Sequence, residues 1–139
     1  MTKRTARIID ANLNRLTEGL RVVEDVVRFG LDRPGLLRSV RALRTRVGRD
    51  TRKLRRRVIA GRDSEADPGR GDRFDRTKRD NLADVVMANF KRAQESCRVL
   101  EETLKVEEPR LGAKLKQARF RLYDLEKQAI GFLEQEEAG

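Results

Sequence analysis

Histidine is absent from the 139-residue chain, so no imidazole is available as a base, proton shuttle or metal ligand. Tryptophan is absent too, and aromatic residues make up only 4%, which leaves little on which unpaired bases could stack. The one cysteine, Cys97, excludes an intrachain disulfide and fits a reducing compartment. Its place on an apolar stripe makes it core filler rather than a nucleophile. Apolar runs are only a few residues long, too short for a membrane span or a signal-peptide core, so the expected location is cytoplasmic. No phosphate loop of the form GxxxxGK followed by Ser or Thr occurs, and the GRG at 69–71 has no strand in front of it.

What the chain has in quantity is charge. Charged residues are 40% against 37% hydrophobic, a balance that suits long helices better than a sheet. Its length fits one domain able to bury most of its core without staples. The net charge of +10 resides in one segment: Arg33 to Arg57 holds ten arginines and one lysine against a single acid, Asp50. Such a block either attracts phosphate, on nucleic acid or on small molecules, or forms a solvated helix face.

A duplication organises the rest. ANLNRLTEGLRVVED at 11–25 returns 77 residues later as ANFKRAQESCRVLEE at 88–102. Seven of fifteen positions are identical, against roughly one expected from composition. A repeat kept only for packing would keep its apolar letters. Here Leu13 has become Phe90, Leu16 Ala93 and Leu20 Cys97, while Asn12/Asn89, Arg15/Arg92, Glu18/Glu95, Arg21/Arg98 and Glu24/Glu101 are unchanged.

Apolar residues at spacings of three and four predict a helix over about 5–29, with Ile9, Leu13, Leu16, Leu20, Val23 and Val27 inward. Gly30 is placed to end it and Pro34 to start a second, which runs to about Val58 with its arginines largely outward. Residues 60–79 have no apolar period and carry the Pro68-Gly69 turn, so they read as a long loop, and loops of this length are functional or disordered. Thr77 with Asp80 suggests a capping box for a third helix, whose seam is Val86, Phe90, Ala93, Cys97, Leu100 and Leu104. Pro109 echoes Pro34 before a fourth, with Leu111, Leu115, Ala118, Leu122, Leu125, Ala129 and Phe132 inward and a fraying EQEEAG tail. The expected fold is all-α: one domain over 1–139, a pseudo-twofold four-helix bundle of two helical hairpins, 5–58 and 80–135, joined by the 60–79 loop.

At about 100° per residue, Asn12 falls inside the apolar arc of the first helix, Arg15 on its edge, and Gly19 on the same stripe. The third helix copies this with Asn89, Arg92 and Ser96. Buried amides need partners, which could be each other, the arginines or a ligand; a structural network fixing helix register is the plainer alternative. Glu18, Arg21, Asp25 and Arg28 read as surface ion pairs. Arg15 and Arg92 suit phosphate, and the small residues at 19 and 96 would leave room beside them. Carboxylates, guanidinium groups and amides are a toolkit for Mg-dependent phosphoryl transfer, and equally for holding an anion without chemistry.

RIIDANLNRLTEGLRVVEDVVRF near the start, the RD…DPG loop at 62–69, ANFKRAQESCRVLEE at 88–102 and ARFRLYDLEK at 118–127 together resemble the alternative hydroxymethylpyrimidine phosphate kinase of thiamine biosynthesis, a small domain found alone or fused ahead of thiamine-phosphate synthase. The resemblance implies transfer of the ATP γ-phosphoryl to hydroxymethylpyrimidine phosphate, with ATP and Mg as cofactors. Carried over by motif are Asp10, Asn12, Arg15, Glu18 and Arg21; Asn89, Lys91, Arg92, Glu95 and Arg98; Arg62, Asp63 and Asp67; and Arg119 and Tyr123. Thr103, where family members often carry an aromatic residue, and the basic Arg70 and Arg73 are departures.

From charge, Arg15 and Arg92 are expected to hold phosphates, with Asn12 and Asn89 bonding the pyrimidine or the arginines. Arg21, Lys91, Arg98, Arg119 and Tyr123 join the substrate-binding set, and Glu18 and Glu95 are the candidate magnesium ligands. The loop would close, bringing Asp63 and Asp67 to magnesium or to the attacking hydroxyl and Arg62 to the transferring group. Expected partners are a phosphorylated small molecule and a nucleotide, with thiamine-phosphate synthase and a second copy of the chain as further candidates; no membrane is expected, and nucleic acid is disfavoured. Two alternatives stand beside the kinase: a basic helical module binding nucleic acid through the second helix, and a regulatory domain binding a phosphorylated metabolite without turnover.

Overall fold

A computed structural model describes residues 1–70 and 78–138 of the chain. Four helices account for most of it: α1 (Lys3–Gly30), α2 (Pro34–Val58), α3 (Leu82–Thr103) and α4 (Pro109–Ala138). Among the described residues there is no strand, and the fold is a four-helix bundle. The three-residue link 31–33 folds α2 back on α1, and 104–108 folds α4 back on α3; α1 packs on α3, and α2 touches α4. Pro34 opens α2, where its missing donor is harmless.

The core follows the apolar periods. Every inward residue expected of α1 and α3 is buried, and α2 buries Leu36, Val40, Leu43, Val47, Leu54 and Val58. On α4, Leu115, Ala118, Leu122, Leu125 and Ala129 are buried, but Leu111 is only half-buried, and further along the helix buries Leu133 and leaves Phe132 partly exposed under the Arg33 guanidinium, 4.3 Å from its ring centre.

Helix ends depart from expectation in three places. The expected capping box included Thr77, which lies outside the described residues, as do Gly71 and Arg73. The cap is Asn81: its Oδ1 accepts from the Asp84 amide at 2.8 Å, while Asp84 accepts from the Asp80 amide at 3.0 Å. The cap thus sits one position after Asp80, with the Asp84 carboxylate closing onto the residue before the cap. Gly30 ends α1 without left-handed backbone, because the next residue, Leu31, is simply extended. The tail does not fray at Glu134 but stays helical to Ala138. The loop opens with a single 3-10 turn, Ile59–Gly61.

Two buried carboxylates, one per hairpin, hold the helices in register. Glu24 on α1 is 1% exposed and accepts from Arg44 Nε of α2 at 2.7 Å and from Arg21 at 3.1 Å. Glu101 on α3, its counterpart in the repeat, is 5% exposed and accepts from Arg119 Nε of α4 at 2.6 Å and from its terminal nitrogen at 2.9 Å. Arg98 stands beside Glu101 as Arg21 stands beside Glu24. Part of the duplicated polar content is therefore structural.

Candidate functional site

Gly19 sets how closely α1 and α3 approach. A Cβ added there would lie 3.0 Å from the Asn89 carbonyl oxygen and 3.5 Å from the Ala93 Cβ. The room at Gly19 is thus filled by the α3 backbone, not left open for a ligand as its small size suggested. At the equivalent position of α3, Ser96 is buried and turns its hydroxyl onto the Arg92 carbonyl at 2.7 Å, and space does remain there.

That space is a cleft of about 530 Å³ beside the α1–α3 seam. Asn12 and Arg15 of α1 line it, with Lys91, Arg92, Glu95 and Ser96 of α3 and Arg79 from the end of the loop. Ala88 and Val99 complete its walls. Four cations face one carboxylate, a balance that favours anions, and the volume falls in the range typical of small-ligand pockets. Among the described residues neither Arg15 nor Lys91 has a carboxylate partner, although other exposed cations nearby do. Arg79 is the lining residue that sequence reasoning missed: it lies outside the repeat and every quoted motif, three residues before α3 begins.

The two repeat amides, Asn12 buried and Asn89 half-buried, have the plainest partners. Asn12 Nδ2 donates to the Ile8 carbonyl at 2.9 Å, and Asn89 Nδ2 to the Val85 carbonyl at 2.8 Å. They bond neither each other nor the arginines. Each turns its donor onto its own helix, which leaves its Oδ1 as the group available to a ligand.

Several residues expected at the site are elsewhere. Arg62 forks onto Asp10, donating to its two oxygens at 2.8 and 2.9 Å. Its pKa is raised chiefly by that hydrogen bond and by the charge of Asp10, with a smaller contribution from Glu18. Asp10 itself is 4% exposed, and Asn14 beside it accepts from Arg55 at 2.8 Å. Asp63 and Asp67 cap their own loop, accepting from the Ala66 and Gly69 amides at 3.0 and 2.8 Å. Arg21 and Arg98 flank the buried glutamates, so Arg21 belongs to Glu24 rather than to a Glu18 surface pair. Arg119 is bound to Glu101 and donates to the Tyr123 hydroxyl at 3.1 Å, and that pair with Glu101 raises its pKa. None of these lines the cleft.

The magnesium pair is likewise divided, because Glu95 lines the cleft and Glu18 does not. Among the described residues no three Asp, Glu or Cys side chains gather as a cation cage. Magnesium arriving with a nucleotide commonly takes one or two protein carboxylates and fills its other positions with phosphate and water oxygens, so Glu95 alone fits that share.

The chain matches the ThiD2 family over residues 7–128. It is 46% identical over 127 residues to a thiamine-phosphate synthase of Gloeobacter violaceus, covering 90% of this chain and 36% of the relative. Over 127 residues it is 40% identical to a protein of the same name from a Nostoc species, covering 90% of this chain and 35% of that one. A Prochlorococcus marinus protein of that name is 43% identical over 124 residues, covering 88% and 34%. The chain thus spans about a third of the length of these curated relatives. No solved structure matches it.

Proposed function

Because the chain belongs to the ThiD2 family, we propose that it transfers the γ-phosphoryl group of ATP to 4-amino-5-hydroxymethyl-2-methylpyrimidine phosphate, making the diphosphate used in thiamine biosynthesis. The observation that carries this reading is the cleft whose Arg15 and Lys91 have no carboxylate of their own. The names of the relatives support the pathway, and the sequence resemblance supports the reaction.

The chemistry asks little of the protein beyond placement and charge. The bond from the γ-phosphorus to the oxygen bridging to ADP breaks, its electron pair leaving with ADP. A new bond forms from that phosphorus to an oxygen of the acceptor's existing phosphate. Total charge is unchanged and no proton has to move. The acceptor is therefore a phosphate oxygen, already anionic, and not the hydroxyl for which Asp63 or Asp67 was expected to serve as base. Their exposed positions, spent on turns of the loop, agree with a reaction that uses no base.

Arg15, Arg92, Lys91 and Arg79 would hold the two phosphorylated ligands against their mutual repulsion and meet charge developing on the transferring group. The Asn12 Oδ1 would accept from the pyrimidine amino group. Magnesium, when bound with ATP, would neutralise phosphate charge, with Glu95 as its protein ligand.

The test is ADP formation in step with loss of pyrimidine phosphate. Lys91→Glu is expected to lower kcat/KM by at least about tenfold with an unchanged melting temperature, since Lys91 is exposed. Wild-type protein that binds pyrimidine phosphate but forms no ADP would instead favour a domain that senses the metabolite.

A further inference from the structure

The cleft uses only half of the duplicated residues, and the way α1 crosses α3 says where the other half lies. Residue 19 meets residue 89, and residues 96 and 12 line one cleft. Adding 77 to the first member of one pair and subtracting it from the second gives the other, so the repeat relates the two pairs, one closed against backbone at Gly19 and one open as the cleft beside Ser96. Arg15 and Arg92 fall midway between them. Applied to the cleft wall, the shift carries Asn12, Lys91 and Glu95 to Asn89, Asn14 and Glu18, all partly or fully exposed.

We infer that the outer face of α1 is a second phosphate-ligand half-site, built from Asn89, Asn14, Glu18 and Arg62 and meeting the cleft at the shared pair Arg15 and Arg92. One half takes the nucleotide and the other the pyrimidine phosphate. This rests on the kinase reading above and extends it by placing the point of transfer between the twin guanidiniums.

Three observations carry it. Asn89 repeats the local hydrogen bond of Asn12, so its Oδ1 is available in the same way. Where Asn14 stands in place of Lys91, Arg62 brings a guanidinium instead, held by Asp10 with a terminal nitrogen 3.5 Å from the Asn14 Oδ1. Arg62 opens the loop and Arg79 closes it, so one loop lends a cation to each half. The transfer itself is the balanced exchange given above, one phosphorus–oxygen bond broken and one made.

The experiment is calorimetric titration of the full chain with a non-hydrolysable ATP analogue and with the pyrimidine phosphate, singly and then in sequence, for wild type, Lys91→Glu and Asn14→Asp. Asn14→Asp keeps the acceptor for Arg55 while adding negative charge. Both ligands are expected to bind together, each variant weakening one of them by roughly tenfold and the other by less than about twofold, in opposite sense. Competition between the ligands, loss of the same ligand in both variants, or no effect of either variant would overturn the half-sites. Two ligands bound as described without ADP formation by wild type would leave the half-sites standing and remove the activity. Melting curves of both variants check that the fold is kept.

Discussion

Burial pushes the Cys97 thiol up to about 12 from its ordinary 9.0, mainly by desolvation and then by the charge of Glu101. The raised value means the folded chain holds this proton more tightly than the unfolded one. Stability is therefore unaffected below the ordinary thiol pKa and falls as pH climbs from there towards 12. A disulfide reagent at pH 8 should titrate no thiol in native protein and one in denaturant, and prompt reaction of the native form would mean that α3 opens readily. Single residues were legible in proportion to how local their partners are. Asn12 and Asn89 could be placed on the apolar arc because 100° geometry needs only the helix. The fates of Arg62 and Arg119 depended on Asp10 and Glu101, one 52 and the other 18 residues away, and no sequence pattern couples those pairs.

At the scale of the helix, two glycines should respond oppositely to the same change. Gly48, inside α2, has open space where a Cβ would go, so Gly48→Ala should raise stability by about 1 kcal/mol through helix propensity alone. Gly19→Ala forces the α3 backbone away and should lower it by about 1–3 kcal/mol, as read from urea midpoints. Glu101→Gln leaves Arg119 facing a neutral amide and should lose about 3 kcal/mol, whereas Glu18→Gln on the exposed face should change stability by less than about 0.5. Equal effects for the two glutamates would remove the clamp. Element boundaries set by proline were legible because proline acts locally. The start of α3 was not, since Asn81 and Asp84 form the same kind of signal as the Thr77 and Asp80 chosen for it, four residues earlier at the cap.

For the molecule as a whole, the arginine segment is only partly compensated. Arg41, Arg44 and Arg57 reach carboxylates on α1 or near the start of α4, and Arg55 reaches Asn14 and the Leu13 carbonyl. Arg38, Arg46, Arg49, Arg52 and Arg56 are exposed and meet no carboxylate among the described residues. Self-repulsion along that face opposes the compact state, while the buried Glu24 and Glu101 pairs are little screened. The melting temperature is expected to rise between about 20 mM and 500 mM sodium chloride; a fall would show that exposed ion pairs outweigh the repulsion. α2 packs against α1 and α4 and turns its uncompensated arginines to solvent, so any affinity for nucleic acid would run through phosphate contacts and fall steeply with salt. The four-helix architecture was legible from period and punctuation. The cleft was legible only through the repeat, because Arg79 belongs to no periodic element.

Each buried glutamate is satisfied inside its own hairpin, and the ion pairs that cross between hairpins, such as Arg57 with Glu108 and Lys114 with Asp50, lie nearer the surface. What joins them is chiefly apolar contact and one tight backbone passage. A chain severed after Arg70 and expressed as two polypeptides should accordingly reassemble into a working heterodimer, and two copies of a single ancestral hairpin could once have met in the same way.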